Sequence, residues 1–350
     1  MAARQNNGLA KGNGPSSSSP SSATSDRNNI PDEFVPLRHR YALTPETLAN
    51  LLMLPSQPSQ RTLLEAASQA PELRRHSMLA EERAFFRAIN GSKNVRWPVA
   101  AGSPVAAWQK AFLLVQMQLS GGEWPGKINK GRRRELMSEK KEIFKVLNRI
   151  VRCVIDVMGL KRDGVGVGNG LDILRALEAG VWDEERKEIL QVAGIGPKLA
   201  EKLAQAGITT TKALARMESW NIERVLSRNP PFGVGMMAKM KQFPILGMKA
   251  TQVGRMQEDD RMAVVKVTLS FENAEVPKWR ALRVKVVFWA ERKSDSRLVF
   301  FWRGGIQKLQ DGKSTGIVFG CDIQAGDSMS CYFACEEIVG TMVRDVVGIS

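Results

Sequence analysis

Apolar residues recur at spacings of three and four through the first half of this chain, and at spacings near two in its last quarter. The clearest helical run is "EIFKVLNRIVRCVIDVM", where Ile143, Leu147, Ile150, Val154 and Val157 line one helix face. "SMLAEERAFFRAI" gathers Leu79, Arg83 and Phe86 in the same way. Ala111 to Leu119 reads as an apolar helix stopped at Gly121-Gly122, and "LDILRALEAG" starts another. In "RHRYALTPETLANLLMLP", Thr44 suits the N-cap and Pro45 the first helical position, which predicts a short helix ending near Leu54, before Pro55 and Pro58. The pattern therefore predicts a short helix and linker over 32–59 and an all-helical bundle over 60–181. Within the bundle, the glycine run "DGVGVGNG" reads as a flexible loop ending one helix before the next begins.

After Met262 the period changes. "VVKVTLSF", "LRVKVVFWA", "RLVFFW" and "SMSCYFACEEIVG" alternate or run apolar, with β-branched and aromatic residues between turn-forming segments. They predict a C-terminal antiparallel β-sandwich of immunoglobulin or fibronectin type over 263–345, joined by a linker over 247–262. Residues 1–31, with "GPSSSSPSSATS", hold too little apolar residue to form a core and read as a disordered leader. The expected fold class is thus α plus β in separate domains.

Between bundle and strands, over 182–246, stands "LQVAGIGPKLAEKLAQAGI". Asp183 can cap a helix running to about Val192. Gly194 and Gly196 permit positive φ and close approach of a ligand to the backbone, and Pro197 opens a second helix. The unpaired amides and positive dipole end of that helix make an anion site. Lys198 and Lys202 fall four apart on one face, while Leu199 and Leu203 point to the core. This is the helix-hairpin-helix pattern, which grips nucleic-acid phosphates without reading bases; the plain alternative is a tight helical corner with solvated lysines. The pattern returns 39 positions on, with Gly233-Val234-Gly235 between "IERVL" and "MMAKM". A tandem unit is expected, its second copy structural because Met236 and Met237 replace the lysines.

Charge strengthens the nucleic-acid reading. Lys and Arg number 51 against 36 acids, a formal charge of +15, and such a balance favours a polyanionic partner. A second basic segment, "KINKGRRRELMSEKK", adds Arg132, Arg133 and Arg134 as candidate DNA contacts beside Gly194, Ile195, Gly196, Lys198 and Lys202. The four cysteines do not suggest a disulfide scaffold; Cys331 and Cys335 fall on one strand face as buried thiols. With His39 and His76 the only histidines, no zinc spacing can be assembled. No run is long enough to span a bilayer, and no secretory signal opens the chain.

Two stretches imitate phosphate loops. "GGEWPGKI" has the spacing from Gly121 to Gly126-Lys127, but Ile128 stands where a Mg²⁺-ligating hydroxyl is needed, and no helix-opening run is expected after it. "DGKST" lacks the leading glycine, since Gln307 holds that position, and reads as a β-hairpin turn. No catalytic residue, metal or cofactor is expected in this chain.

The order of bundle, hairpin and small β domain resembles the Sec-sixty-three-like domain of superfamily-two helicases, with wording closest to the meiotic crossover-promoting DNA helicases. The resembling stretches are "RHRYALTPETL", "FLLVQMQLSGG", "NRIVRCVIDV", "LDILRALEAGVWDE", the Gly194 hairpin and "IERVLSRNPPFG", over about residues 34 to 246. The resemblance implies an ATP-dependent 3′ to 5′ DNA helicase as parent, nuclear and acting in meiotic recombination, with possible recombination proteins as partners and no membrane. The motor domains expected ahead of residue 34, with the ATP and Mg²⁺ they bind, have no counterpart in this sequence. The chain is therefore expected to be a DNA-backbone-gripping accessory module, inactive alone. Two other functions stay open. One is a protein-interaction scaffold of the kind found in spliceosomal helicases. The other is a hairpin-type DNA lyase, for which the next acids after the second hairpin are Glu258, Asp259 and Asp260.

Overall fold

The computed structural model describes residues 30–100, 104–125, 128–184, 187–256, 259–309 and 314–350. The helices are α1 Val35–Arg40, α2 Pro45–Leu52, α3 Gln60–Ser68, α4 Arg83–Asn90, α5 Ala107–Leu119, α6 Lys130–Leu160 and α7 Gly164–Ala179. Four more follow, α8 Pro197–Gln205, α9 Thr211–Ala215, α10 Ser219–Leu226 and α11 Phe232–Met240. The strands are β1 Leu246–Met256, β2 Asp259–Phe271, β3 Lys285–Arg292, β4 Leu298–Gly305, β5 Ser314–Asp322, β6 Ser328–Cys335 and β7 Val343–Gly348. Most of the leader lies outside the described residues; Ile30 packs against the helical core. No helix among the described residues is long and apolar enough to cross a membrane.

The axis of the bundle is α6, 31 residues long, or about 46 Å at 1.5 Å per residue. Its start is capped by Asn129, whose side chain accepts from the Arg132 amide at 2.7 Å. Ile143, Leu147, Ile150, Val154 and Val157 are all fully buried, as their spacing predicts. Thr44 caps α2 through the Thr47 amide.

The glycine run is not a loop. It forms the first two turns of α7, capped by Asp163 through the Gly166 amide at 2.8 Å. Its alternation places glycines on two helix faces. A Cβ at Gly166 would stand 2.8 Å from Met158, and one at Gly170 2.8 Å from Ile155, so that face lies against α6. Gly164 and Gly168 meet Glu291 and Trp289 of β3. Close packing on two sides offsets glycine's poor helix propensity.

The strands form two antiparallel sheets, β1-β2-β5 and β4-β3-β6-β7. The expected linker over 247–262 is instead strand. β1 pairs with β2 from Leu246↔Phe271 to Met256↔Asp259. One face of β1 is solvated along most of its length, which hides the apolar alternation that would mark a strand.

Nor are helices and strands separate. On β3, Val287 and Trp289 join the core of the bundle, together with Leu298 of β4 and Ala334 of β6. Val286, Phe288 and Ala290 face the other way, into a second core with β1, β2 and the hairpin unit. The four-stranded sheet is a middle layer buried on both faces, which is why "VKVVFWA" reads as a run rather than an alternation. A polar seam reinforces the contact. Arg152 of α6 bonds Glu336 at 2.9 Å and Glu337 at 2.6 Å, while Asp156 accepts from Tyr41 at 2.6 Å and from Arg303 of β4 at 2.5 Å. Burial, helped by the Asp156 charge, pushes the Tyr41 hydroxyl up to about 12.

Candidate nucleic-acid interface

A 3₁₀ turn, Glu188–Gln191, leads into the hairpin. Among the described residues no α-helix capped by Asp183 precedes it. Asp183 is taken up by the buried Arg175, 2.7 Å away, and by the Gly340 amide at 3.0 Å. The turn then pivots on Ile195, which is buried and bonds back through its amide to the Val192 carbonyl. Gly194 takes φ +99°, a left-handed value that favours glycine. Gly196 does not need positive φ. It is the extended N-cap of α8, φ −97° and ψ 178°, and nothing stands within 4 Å of where its Cβ would be.

The start of α8 is open. The amides of Leu199 and Ala200 bond the Gly196 carbonyl, and Pro197 has no amide to offer. The N–H groups of Gly196 and Lys198 have no backbone acceptor among the described residues, and no side chain caps the helix. Lys198 is exposed immediately beside them. Two free amides, a helix dipole end and a cation thus converge on one patch, the chemistry of an oxyanion or phosphate cradle.

Lys202 is exposed too, but it is engaged. Its Nζ lies 3.5 Å from the Leu226 carbonyl and 3.4 Å from Ser227 Oγ, at the C-terminal end of α10. A third lysine, missed in the sequence, answers it from the second half of the unit. Lys239 of α11 donates to the Ala193 carbonyl at 2.9 Å, and its Nζ would be 3.5 Å from a Cβ on Gly194. Each half of the unit ties down the other through one lysine on a carbonyl. The sequence hints at it only in that Lys239 is the one charge in the apolar run "FGVGMMAKM".

The second copy departs from the expected repeat. Gly233 and Gly235 lie inside α11, not in a turn; the turn is Ser227–Pro231. Gly233 is required by packing, since a Cβ there would overlap the Ser219 carbonyl, and its amide donates to Glu223 at 2.8 Å. A glycine pair in sequence does not distinguish a turn from a close helix crossing.

The basic candidates at the start of α6 divide. Arg132 is drawn inward, with only 9% of its side chain exposed; it bonds Glu82 at 2.6 Å and Glu139 at 2.6 Å, and pairs with Glu135. Burial opposes its charge, but Glu82 and Glu135 hydrogen-bond to it and its guanidinium is held above its ordinary value. Glu82 is itself fully buried and shared with Lys110 at 2.9 Å. Arg132 is therefore engaged in a largely buried ionic cluster, with little of its side chain left to meet a phosphate. Arg133 and Arg134 remain exposed, with Arg133 5.7 Å from the Trp124 ring. They belong to the bundle rather than to the hairpin.

Of the phosphate-loop imitations, Gly126 and Lys127 lie outside the described residues. A helix does follow that stretch, contrary to expectation, but it is the Asn129-capped α6. Asp311 to Lys313 also lie outside the described residues. The flanking strands β4 and β5 belong to different sheets, so no hairpin joins them. Of the acids weighed for a lyase, Glu258 lies outside the described residues, and Asp259 opens β2. All four cysteines are buried thiols; burial pushes Cys153, Cys331 and Cys335 up to about 12.

Comparison with known proteins adds to this geometry. The family described as "Sec63 Brl domain" matches residues 37–343. The "ATP-dependent DNA helicase MER3" of Saccharomyces cerevisiae is 23% identical over 268 residues, 74% of this chain and 22% of that protein. The "Probable ATP-dependent DNA helicase HFM1" of Mus musculus is 23% identical over 254 residues, 71% of this chain and 17% of that protein. The "ATP-dependent DNA helicase homolog MER3" of Arabidopsis thaliana is 22% identical over 222 residues, 61% and 19% respectively. The chain thus spans less than a quarter of the length of these curated relatives.

Proposed function

The chain belongs to the Sec63 Brl domain family, and on that premise we propose that it is a nucleic-acid-binding accessory module of an ATP-dependent DNA helicase, acting in the nucleus in meiotic crossover recombination. The helicases it resembles carry DNA in their names, and the formal charge of +15 suits a polyanion. The observation that carries the reading is the open start of α8. The Gly196 and Lys198 amides stand beside the exposed Lys198 ammonium, and no side chain among the described residues caps the helix there. A DNA phosphate seated there would be held by its backbone, without base readout. Turnover of ATP with Mg²⁺ would belong to a helicase motor. We also read the two sheets as a sandwich of the immunoglobulin or fibronectin kind, because Phe288 and Phe300 of one sheet meet Phe319 of the other.

The test is the salt dependence of binding to single-stranded DNA. Lys198→Glu is expected to weaken binding to all sequences alike and to flatten the log–log salt slope by about 0.7 per lost phosphate contact. An unchanged slope in a folded Lys198→Glu protein would refute the cradle.

A second reading, protein scaffold, is favoured by one feature. Trp220 (57% exposed) and Val234 (60% exposed) border an apolar groove between α10 and α11. Trp220→Ala that leaves DNA binding intact but abolishes function in the cell would favour it.

A further inference from the structure

The two sheets are joined unequally at their two sides. On the β1–β7 side the seam is closed: Asp345 accepts from the Ala250 amide at 2.9 Å, and Gln252 exchanges bonds of 3.2 and 2.9 Å with the backbone of Ser350. On the other side, β5 pairs only with β2 among the described residues and presents one unpaired backbone edge, while the outer edge of β4 is met at its start by the turn after α6 through a bridge between Asp163 and Arg297. Phe300 of β4 and Phe319 of β5 stack between these edges at 4.3 Å. Beyond that stack the edges part into a cleft of about 460 Å³, lined at its far end by Leu298 and Val299 on one side and Gly320 to Asp322 on the other.

Three arginines surround this cleft. Arg292 is neutralised by Asp295 through bonds of 2.9 and 2.5 Å. Arg162 and Arg297 are exposed, and among the described residues neither guanidinium closes a salt bridge, although the Arg297 amide donates to Asp295 at 3.1 Å. Arg162 is fixed in place by the turn after α6, where its carbonyl accepts from the Leu298 amide at 2.9 Å. The acid on the rim is Asp322. The cleft therefore offers an apolar aromatic floor, two cations at the mouth and, in β5, an edge that lacks a ladder partner.

We propose that the β4–β5 cleft is a docking site for an extended acidic peptide of a partner protein, which adds as a strand to the edge of β5 and sets carboxylates against Arg162 and Arg297. Unpaired strand edges take extended peptides through main-chain bonds, with alternate side chains supplying selectivity. Alternation would turn apolar side chains toward Phe300 and acidic ones toward the mouth. Charge decides the occupant. A second copy of this chain, at +15, would meet net repulsion, and residues 1–29 hold Arg4, Lys11 and Arg27 against Asp26, so charge favours neither. The site is independent of the hairpin and does not rest on the DNA-binding reading.

The experiment selects a displayed library of random 12-residue peptides on the whole chain and measures one selected peptide by anisotropy and amide hydrogen exchange. The expected pool alternates apolar and acidic residues, and the peptide slows exchange in β5 and β4. Arg162→Glu with Arg297→Glu should weaken it at least tenfold, while Arg162→Lys with Arg297→Lys should stay within about threefold. A pool without acidic alternation, protection elsewhere, or equal binding by the charge-reversed protein with unchanged helix content would overturn the proposal. So would protection of β5 by an oligothymidylate but by no selected peptide, which would make the cleft a nucleic-acid site.

Discussion

At Gly194 the chain turns through φ +99°, whereas at Gly196 it is extended and opens onto free space. The two glycines therefore predict opposite phenotypes. Gly194→Ala forces a side chain into the left-handed region and should cost roughly 1–3 kcal/mol of stability. Gly196→Ser should cost nothing and even raise stability by a few tenths of a kcal/mol, since serine is the better N-cap. Its hydroxyl would accept from the Lys198 amide, a group a phosphate would otherwise use. The same substitution should therefore weaken DNA binding. Urea melts paired with DNA titrations of the two variants separate these effects, and Gly196→Ser binding DNA as tightly as the native chain would count against the amide cradle. The Lys198 and Lys202 pair follows from spacing alone. Spacing places both on one exposed face of α8, but it cannot reveal that Lys202 leans on the end of α10 while Lys198 is left facing solvent.

Among elements, α7 tests how far packing overrides propensity. Gly170→Val would push a branched side chain into Ile155, whose Cγ1 is 2.8 Å from the Cβ position, and should destabilise by roughly 1–3 kcal/mol as an overpacked core does. Gly159, also helical but with nothing within 4 Å, makes the contrast. Gly159→Ala should stabilise by about 0.5–1 kcal/mol. Chemical melts followed by helical circular dichroism decide it, and equal effects at both sites would mean that α7 is not wedged by its glycines. The elements legible in the sequence are those whose own residues decide them, such as α6 with its buried stripe and α2 with its Thr44 cap. Those that escaped it depend on distant partners. The glycines of α7 depend on Ile155 and Trp289, β1 on pairing with β2, and Arg132 on Glu82, 50 positions away. A charge run along the chain cannot show which of its members turns inward.

For the whole molecule, the consequential feature is the middle layer. Trp289 of β3 is 2% exposed, stacks on Tyr332 at 4.8 Å and lies under Gly168 of α7, so one side chain spans bundle and sheet. Had the strands been a separate domain, they could be removed or loosened without consequence for the helices. With Val287, Trp289, Leu298 and Ala334 in the helical core, and Arg152 and Arg303 bonded across the seam, the bundle lacks a complete core of its own. Trp289→Ala should therefore cost about 3–5 kcal/mol, as large aromatic truncations in cores do. The loss should appear in the helices as well as the strands. Far-ultraviolet circular dichroism follows the helices, and hydrogen exchange of the β3 and β6 amides follows the sheet; both midpoints should fall together. A variant in which the sheet melts early while α6 and α7 keep their native midpoint would restore the two-domain description. The hairpin would still melt with the strands, because Ile195 and Leu203 share their core with β1, β2 and β3, so DNA binding at α8 would be lost along with the sheet.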